Sequence, residues 1–136
     1  MKNKLKRILL IDDDESSNYL HRIIIKQAEV AEEIETMTRA DKAIDYLKDL
    51  NSSRPDDLPD LVFLDINMPA MNGWDFLNAY AELDLENKEK LKIVMLTASV
   101  NPNDVLRART NVFVSEIFHK PLSVEAVMEK LPGLFP

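Results

Sequence analysis

Ile8-Leu9-Leu10-Ile11-Asp12-Asp13-Asp14 is a run of four apolar residues that leads straight into three carboxylates. A strand with one wet face alternates apolar and polar residues, so an unbroken apolar run reads as a strand covered on both faces. Two further stretches repeat the pattern: Leu61 to Leu64 ends at Asp65, and Ile93 to Leu96 ends at Thr97. A shorter run, Ile117-Phe118, leads through His119 into Lys120, and Ile34 to Thr38 gives a weaker strand.

The stretches between these strands are long enough for crossover helices. Leu20, Ile23, Ile24 and Gln27/Ala28 mark a helical face after the first strand, and Ala40, Ala43, Ile44 and Leu47 mark one after the second. Trp74, Leu77 and Ala81 follow the third strand, and Asn101-Pro102 opens the weakest helix, reaching Thr110. Val124, Val127, Met128 and Leu131 form a final amphipathic stripe, with Ser123 as N-cap and Pro132-Gly133 predicted to end it. Five strands alternating with five helices require a doubly wound α/β domain, because parallel neighbours need crossover connections. The stretch Ser52 to Pro59 reads as a loop inside that domain.

Composition narrows the function. The 136 residues, 46% hydrophobic and 30% charged, suit one compact domain. Seventeen basic against twenty-four acidic residues leave a net charge of -7, which argues against nucleic acid or an anionic membrane as partner. The absence of Cys removes disulfides and thiolate chemistry and fits a cytoplasmic location. Lys2, Lys4, Lys6 and Arg7 read as a basic tail over residues 1–6 and the start of a strand, since the following apolar run is too short for a signal peptide.

In open α/β sheets, ligands bind beyond the carboxyl ends of the strands. Those ends carry Asp12-Asp13-Asp14, Asp65, Thr97 and Lys120. Clustered carboxylates repel one another unless a cation sits among them, and an all-oxygen donor set favours Mg²⁺ (or Mn²⁺) over zinc. Lys120 offers a compact charge for phosphate oxygens, and the Thr97 hydroxyl offers another donor. Taken singly, each has a plainer reading: Asp12 to Asp14 as acids at a helix start, Asp65 as a turn cap, Thr97 as a strand-end hydroxyl, Lys120 as a solvated lysine. Asn72-Gly73 is a turn signal, with Gly73 the predicted positive-φ position. With only two glycines the chain cannot build a Gly-rich phosphate cradle.

Over essentially its whole length the sequence resembles the receiver domains of bacterial two-component response regulators. The resemblance rests on Arg7 to Asp14, on Leu61-Val-Phe-Leu-Asp-Ile-Asn-Met-Pro69 with Gly73, on Met95-Leu-Thr-Ala98, and on Lys120-Pro121. It implies a stand-alone, CheY-like and flavodoxin-like (βα)5 fold with strand order 2-1-3-4-5, a receiver spanning 1–136, a short tail at 132–136 and no output domain. It implies that Asp65 accepts a phosphoryl group from a phosphohistidine of a sensor histidine kinase or phosphotransfer protein. Asp12, Asp13, Asp65 and the Asn67 backbone carbonyl would serve Mg²⁺, with Asp12 largely in the outer shell. Met68, Pro69 and Gly73 would shape the loop, Lys120 and Thr97 would bind the phosphoryl group, and Pro121 would follow a cis bond. A downstream protein would read helix four, strand five and helix five, and the domain would act as a monomer or weak dimer. Its only chemistry would be its own phosphorylation and autodephosphorylation.

Two positions depart from the pattern. Ile117 stands where such domains usually carry an aromatic switch residue, and Phe118 beside it must point to the opposite face. The charged segment Asp84 to Leu91 is long and reads as a solvated helix or loop. Two rivals compete: a haloacid-dehalogenase-type phosphatase that uses Asp12, for which only Glu125 and Glu129 could complete the acidic set, and a receiver-like interaction module that takes no phosphate. His21 and His119 read as solvated or locally bonded.

Overall fold

The structure, a computed structural model, describes residues 3–135; Met1, Lys2 and Pro136, parts of the predicted tails, lie outside the described residues. Its elements alternate as expected: β1 (Leu5–Ile11), α1 (Glu15–Ala28), β2 (Ala31–Met37), α2 (Ala40–Ser53), β3 (Leu61–Leu64), α3 (Gly73–Ala81), β4 (Lys92–Thr97), α4 (Pro102–Thr110), β5 (Val114–His119) and α5 (Val124–Leu134). The strands form one parallel sheet in the order β2-β1-β3-β4-β5.

The unbroken apolar strands are explained by two cores, one on each face of the sheet. Leu9, Ile11, Val62, Leu64, Ile93, Met95 and Ile117 face α2, α3 and α4. Their immediate neighbours Ile8, Leu10, Leu61, Phe63, Val94, Leu96 and Phe118 face α1 and α5. Successive strand residues point to opposite faces, so the middle of β1, β3 and β4, covered twice, has no position left for polar side chains, which are confined to the edge strands and strand ends. Each fully buried Leu, Ile or Phe contributes roughly 1.5–3 kcal/mol.

Several boundaries differ from the sequence reading. β1 starts at Leu5, inside the predicted basic tail, because Leu5 pairs with Ala31 and its N–H donates to the Val30 carbonyl at 2.8 Å. Lys6 is an anchor rather than a solvated charge: its backbone N–H reaches Asp60, and its ammonium reaches the Asp56 carbonyl and the Asp57 carboxylate. β2 begins three residues earlier than predicted, at Ala31 instead of Ile34, and ends at Met37. At the other end α5 runs through Pro132 and Gly133 to Leu134. Proline removes its own N–H bond and crowds the carbonyl four residues back, and the last turn is held instead by Leu131, Leu134 and Phe135 packing on the core.

The largest correction concerns α1. Its buried residues are Asn18, His21, Ile25 and Ala28, while Leu20 and Ile23 of the predicted face are exposed. Ala81 and Met128 are likewise exposed at the edges of their predicted faces; Phe76 and Tyr80 complete the inner face of α3. The segment Asp84 to Leu91 is a docked loop. Leu83 and Leu85 are buried, and a 3-10 turn at Lys88–Lys90 aims the Lys88 ammonium at the Tyr80 and Leu83 carbonyls, 2.9 and 2.6 Å away.

Candidate functional site

At the carboxyl end of the sheet, Asp12 follows β1 and Asp65 follows β3, with Thr97 at the end of β4 and Lys120 just beyond β5. Asp12, Asp65 and Thr97 are buried, and Asp13 is exposed at the rim. Carboxylate oxygens of Asp12, Asp13 and Asp65 lie within 4.8 Å of one another. The Lys120 ammonium enters the same cluster, 2.6 Å from Asp12 Oδ2 and 3.6 Å from Asp65 Oδ1. Asp14 stands apart from them as the N-cap of α1, accepting from the Ser16 N–H.

Burial and charge repulsion act together on the carboxylates of the site. Burial pushes the Asp65 carboxyl up to about 6, the neighbouring Asp12 charge adds to the rise, and Lys120 partly offsets it. For Lys120 burial works against the ammonium, but the hydrogen bond to Asp12 and the Asp65 and Asp12 charges prevail, so its pKa is raised. One Asp65 oxygen, Oδ1, is fixed by the Ile66 N–H at 2.9 Å. Among the described residues nothing donates to Oδ2, nor does any backbone N–H bond to the Asn67 carbonyl.

The loop after Asp65 works differently from the sequence reading. Gly73 does not have a positive φ; Ala70 takes that conformation, at φ 67°. Glycine is needed at 73 for space, because a Cβ there would stand 2.6 Å from the Asp65 carbonyl oxygen. Gly73 is the first residue of α3, whose N-cap Asn72 forms a capping box with Asp75, and its N–H returns to the Ile66 carbonyl at 2.8 Å. The turn is thereby pressed against the Asp65 backbone. Met68 is buried, while Asn67 and Pro69 are exposed.

On the other side, Lys120-Pro121 is cis, and the Lys120 N–H donates to the Thr97 carbonyl at 2.8 Å. The Thr97 hydroxyl accepts from the Ser99 N–H at 2.9 Å. Ile117 is buried against the α4 face of the sheet and Phe118 against the α1 and α5 face, edge-on to Phe63, so Phe118 does not substitute for Ile117.

The chain's place among known proteins follows from a match of the response regulator receiver domain family to residues 8–132. The chain belongs to that family. It is similar to the chemotaxis protein CheY of Thermotoga maritima, 30% identical over 128 residues, covering 93% of this chain and 94% of that protein. It is also similar to the probable methanogenesis regulatory protein FilR2 of Methanothrix harundinacea, 30% identical over 121 residues, 87% of this chain and 74% of that one. Among solved structures, a two component response regulator from Cytophaga hutchinsonii superposes with a TM-score of 0.84 at 32% identity, covering 92% of each chain.

For a receiver domain the acidic pocket is suited to a divalent cation. Its donors are all oxygen, two of the three carboxylates are buried, and a single ammonium, Lys120, faces all three. Glu125 and Glu129, which the phosphatase reading required, lie exposed on α5 outside this cluster.

Sequence reasoning missed two side chains beside the receiver's pocket. Asn18 donates to the Asp12 and Met37 carbonyls at 3.0 and 3.2 Å and so ties α1 to the ends of β1 and β2. His21, expected in solvent or locally bonded, is buried, and its pKa is lowered by burial and then by the Lys120 charge, with Asp12 opposing. Asn18, His21, Ile25 and Ala28 follow one another in steps of three or four residues, a helical spacing that the more apolar set Leu20, Ile23 and Ile24 obscured. His119 ends β5 and is exposed.

No helix among the described residues is long and apolar enough to cross a membrane.

Proposed function

We propose that this receiver is a phosphorylated switch in which Asp65 takes a phosphoryl group from the phosphohistidine of a sensor histidine kinase or phosphotransfer protein. The observation that carries the reading is one lysine ammonium lying 2.6 Å from Asp12 and 3.6 Å from Asp65, within a cluster of three carboxylates. With Oδ1 held by the Ile66 N–H, Oδ2 of Asp65 attacks phosphorus in line. The new O–P bond forms as the P–N bond breaks, and the departing imidazole nitrogen keeps the electron pair and then takes a proton. Positioning and charge neutralisation are what such a transfer demands of a protein.

Mg²⁺ (or Mn²⁺) would be held by Asp12, Asp13, Asp65 and the Asn67 carbonyl, and would supply positive charge against the spreading negative charge of the phosphoryl oxygens. Lys120 then turns from the carboxylates toward a phosphoryl oxygen. The Thr97 hydroxyl exchanges its bond from the Ser99 N–H for donation to another. Movement at Thr97 passes to α4, β5 and α5, where Val100, Leu106 and Val112, before, on and after α4, are exposed apolar contacts for a downstream protein. Ile117 offers no aromatic ring to this relay, so backbone and α4 packing carry it.

Intact mass after incubation with Mg²⁺ and a small acyl-phosphate donor tests the reading. The wild type gains one labile phosphoryl group and Asp65→Asn gains none. Equal gain by both proteins, or steady donor turnover dependent on Asp12, would overturn it.

A further inference from the structure

The core holds α4 more loosely than the helices before it. Its nine residues bury only Ala108, with Val105 partly covered, whereas α1, α2 and α3 bury four or five residues each. An element with so little apolar cover lies at the low-stability end of a fold, and its resting position depends on specific contacts. Two such contacts are present, one helical turn apart.

The first is polar and starts at Thr97. The Ser99 N–H donates to the Thr97 hydroxyl at 2.9 Å, and the Ser99 hydroxyl donates at 2.8 Å to Asp104 Oδ2 in the first turn of α4. The same hydroxyl accepts from the Asn101 N–H at 3.2 Å, so the residue in contact with Thr97 also closes the entry to the helix.

The second contact lies on the next turn. The exposed Arg107 guanidinium stacks 4.3 Å from the centre of the Trp74 ring. Trp74 is buried and directly follows Gly73, whose N–H bonds to the Ile66 carbonyl and which has no room for a Cβ against the Asp65 carbonyl. The seat of the ring is therefore set by the backbone of the phosphoacceptor. Each contact runs from α4 back to the pocket, one through Thr97 and the other through Asp65 and the start of α3. Neither passes through Ile117.

We infer that Ser99 with Asp104 and Arg107 with Trp74 form a two-point latch that holds α4 at rest and opens when Asp65 is phosphorylated. The latch rests on the reading of Asp65 as phosphoacceptor. Thr97, drawn to a phosphoryl oxygen, lets go of the Ser99 N–H; the Ser99 turn opens, its hydroxyl leaves Asp104, and α4 moves until Arg107 no longer covers Trp74. Leu106, between the two latch points, moves with the helix. Arg107 touches none of the reacting groups and is a positioning residue that acts through Trp74. Coupling of this kind is reciprocal, so whatever opens the latch favours the phosphorylated arrangement.

Trp74 is the chain's single tryptophan, so its fluorescence reads the stack directly. Wild type, Arg107→Gln and Ser99→Ala are each compared in Mg²⁺ alone and in Mg²⁺ with a small acyl-phosphate donor. Intact mass, Trp74 emission and amide hydrogen exchange over residues 103–110 are recorded on the same samples. Phosphorylation of the wild type should red-shift the emission as the ring is uncovered and speed exchange in α4 about tenfold. Arg107→Gln should be red-shifted before phosphorylation, move little after it, and exchange about two- to fivefold faster at rest. Ser99→Ala keeps the N–H bond to Thr97 and loses the bond to Asp104. It should speed resting exchange about tenfold and red-shift Trp74, although neither partner of the stack is altered. Unchanged emission in protein whose mass shows phosphorylation, an equal shift in wild type and Arg107→Gln, or α4 exchange indifferent to Ser99→Ala would overturn the latch. A wild type that gains no phosphoryl group would overturn the phosphoacceptor reading itself, and with it the opening of the latch.

Discussion

Asp65 is the residue at which stability and function oppose each other. Its carboxyl is raised to about 6, so the fold favours the protonated form more than the unfolded chain does. A raised acid costs the folded state stability once pH exceeds the unfolded value, and the full cost is reached above the folded value. Without divalent cation, Asp65→Asn should therefore be more stable than wild type at pH 7 by about 1–2 kcal/mol, less than the full linkage value because solvent reaches the pocket rim. The difference should shrink as pH falls through 6 and vanish near 4, which urea unfolding across pH would follow. The position of Asp65 at the carboxyl end of the sheet was legible from its place directly after an apolar run. The Asn18 and His21 contacts were not, since a polar residue on a helix signals burial only when its partners on other elements are known.

Among the elements, the β3–α3 turn and the α3–β4 loop show why local sequence reads well in kind and poorly in mechanism. Gly73 was correctly singled out, but for φ, when the constraint is the 2.6 Å approach to the Asp65 carbonyl. Gly73→Ala should therefore displace the Asp65 backbone, costing about 1–3 kcal/mol in denaturant unfolding, and should slow phosphorylation in the mass assay. The charged segment after α3 looked solvated because its charges outnumber its apolar residues. Yet Lys88 bonds to the Tyr80 and Leu83 carbonyls and lies 4.8 Å over the Tyr80 ring. Lys88→Met should lose about 1–3 kcal/mol of stability by freeing those carbonyls, read as a lower urea midpoint, with the phosphoacceptor chemistry unchanged. The existence of β1, β3 and β4 followed directly from apolar runs covered on both faces, and the strand order from the resemblance to receiver domains. The outer limits of β1 and α5 did not, because pairing with Ala31 and packing of Phe135 are non-local.

At the scale of the whole molecule, an α/β sheet brings four strand ends together and leaves their charges to be balanced from outside. Mg²⁺ should stabilise the folded chain by about 2.7 kcal/mol at a hundredfold excess over its dissociation constant, seen as a concentration-dependent rise in Tm. Asp13→Asn should remove most of that rise while leaving the metal-free Tm nearly unchanged, since Asp13 is exposed at the rim. The switch depends on the bond formed at Asp65. Wild type phosphorylated with Mg²⁺ and an acyl-phosphate donor, reduced with borohydride and mapped by peptide mass spectrometry, should show homoserine at position 65 and at no other aspartate. Homoserine at position 12, or none at 65 in protein whose intact mass shows phosphorylation, would contradict it.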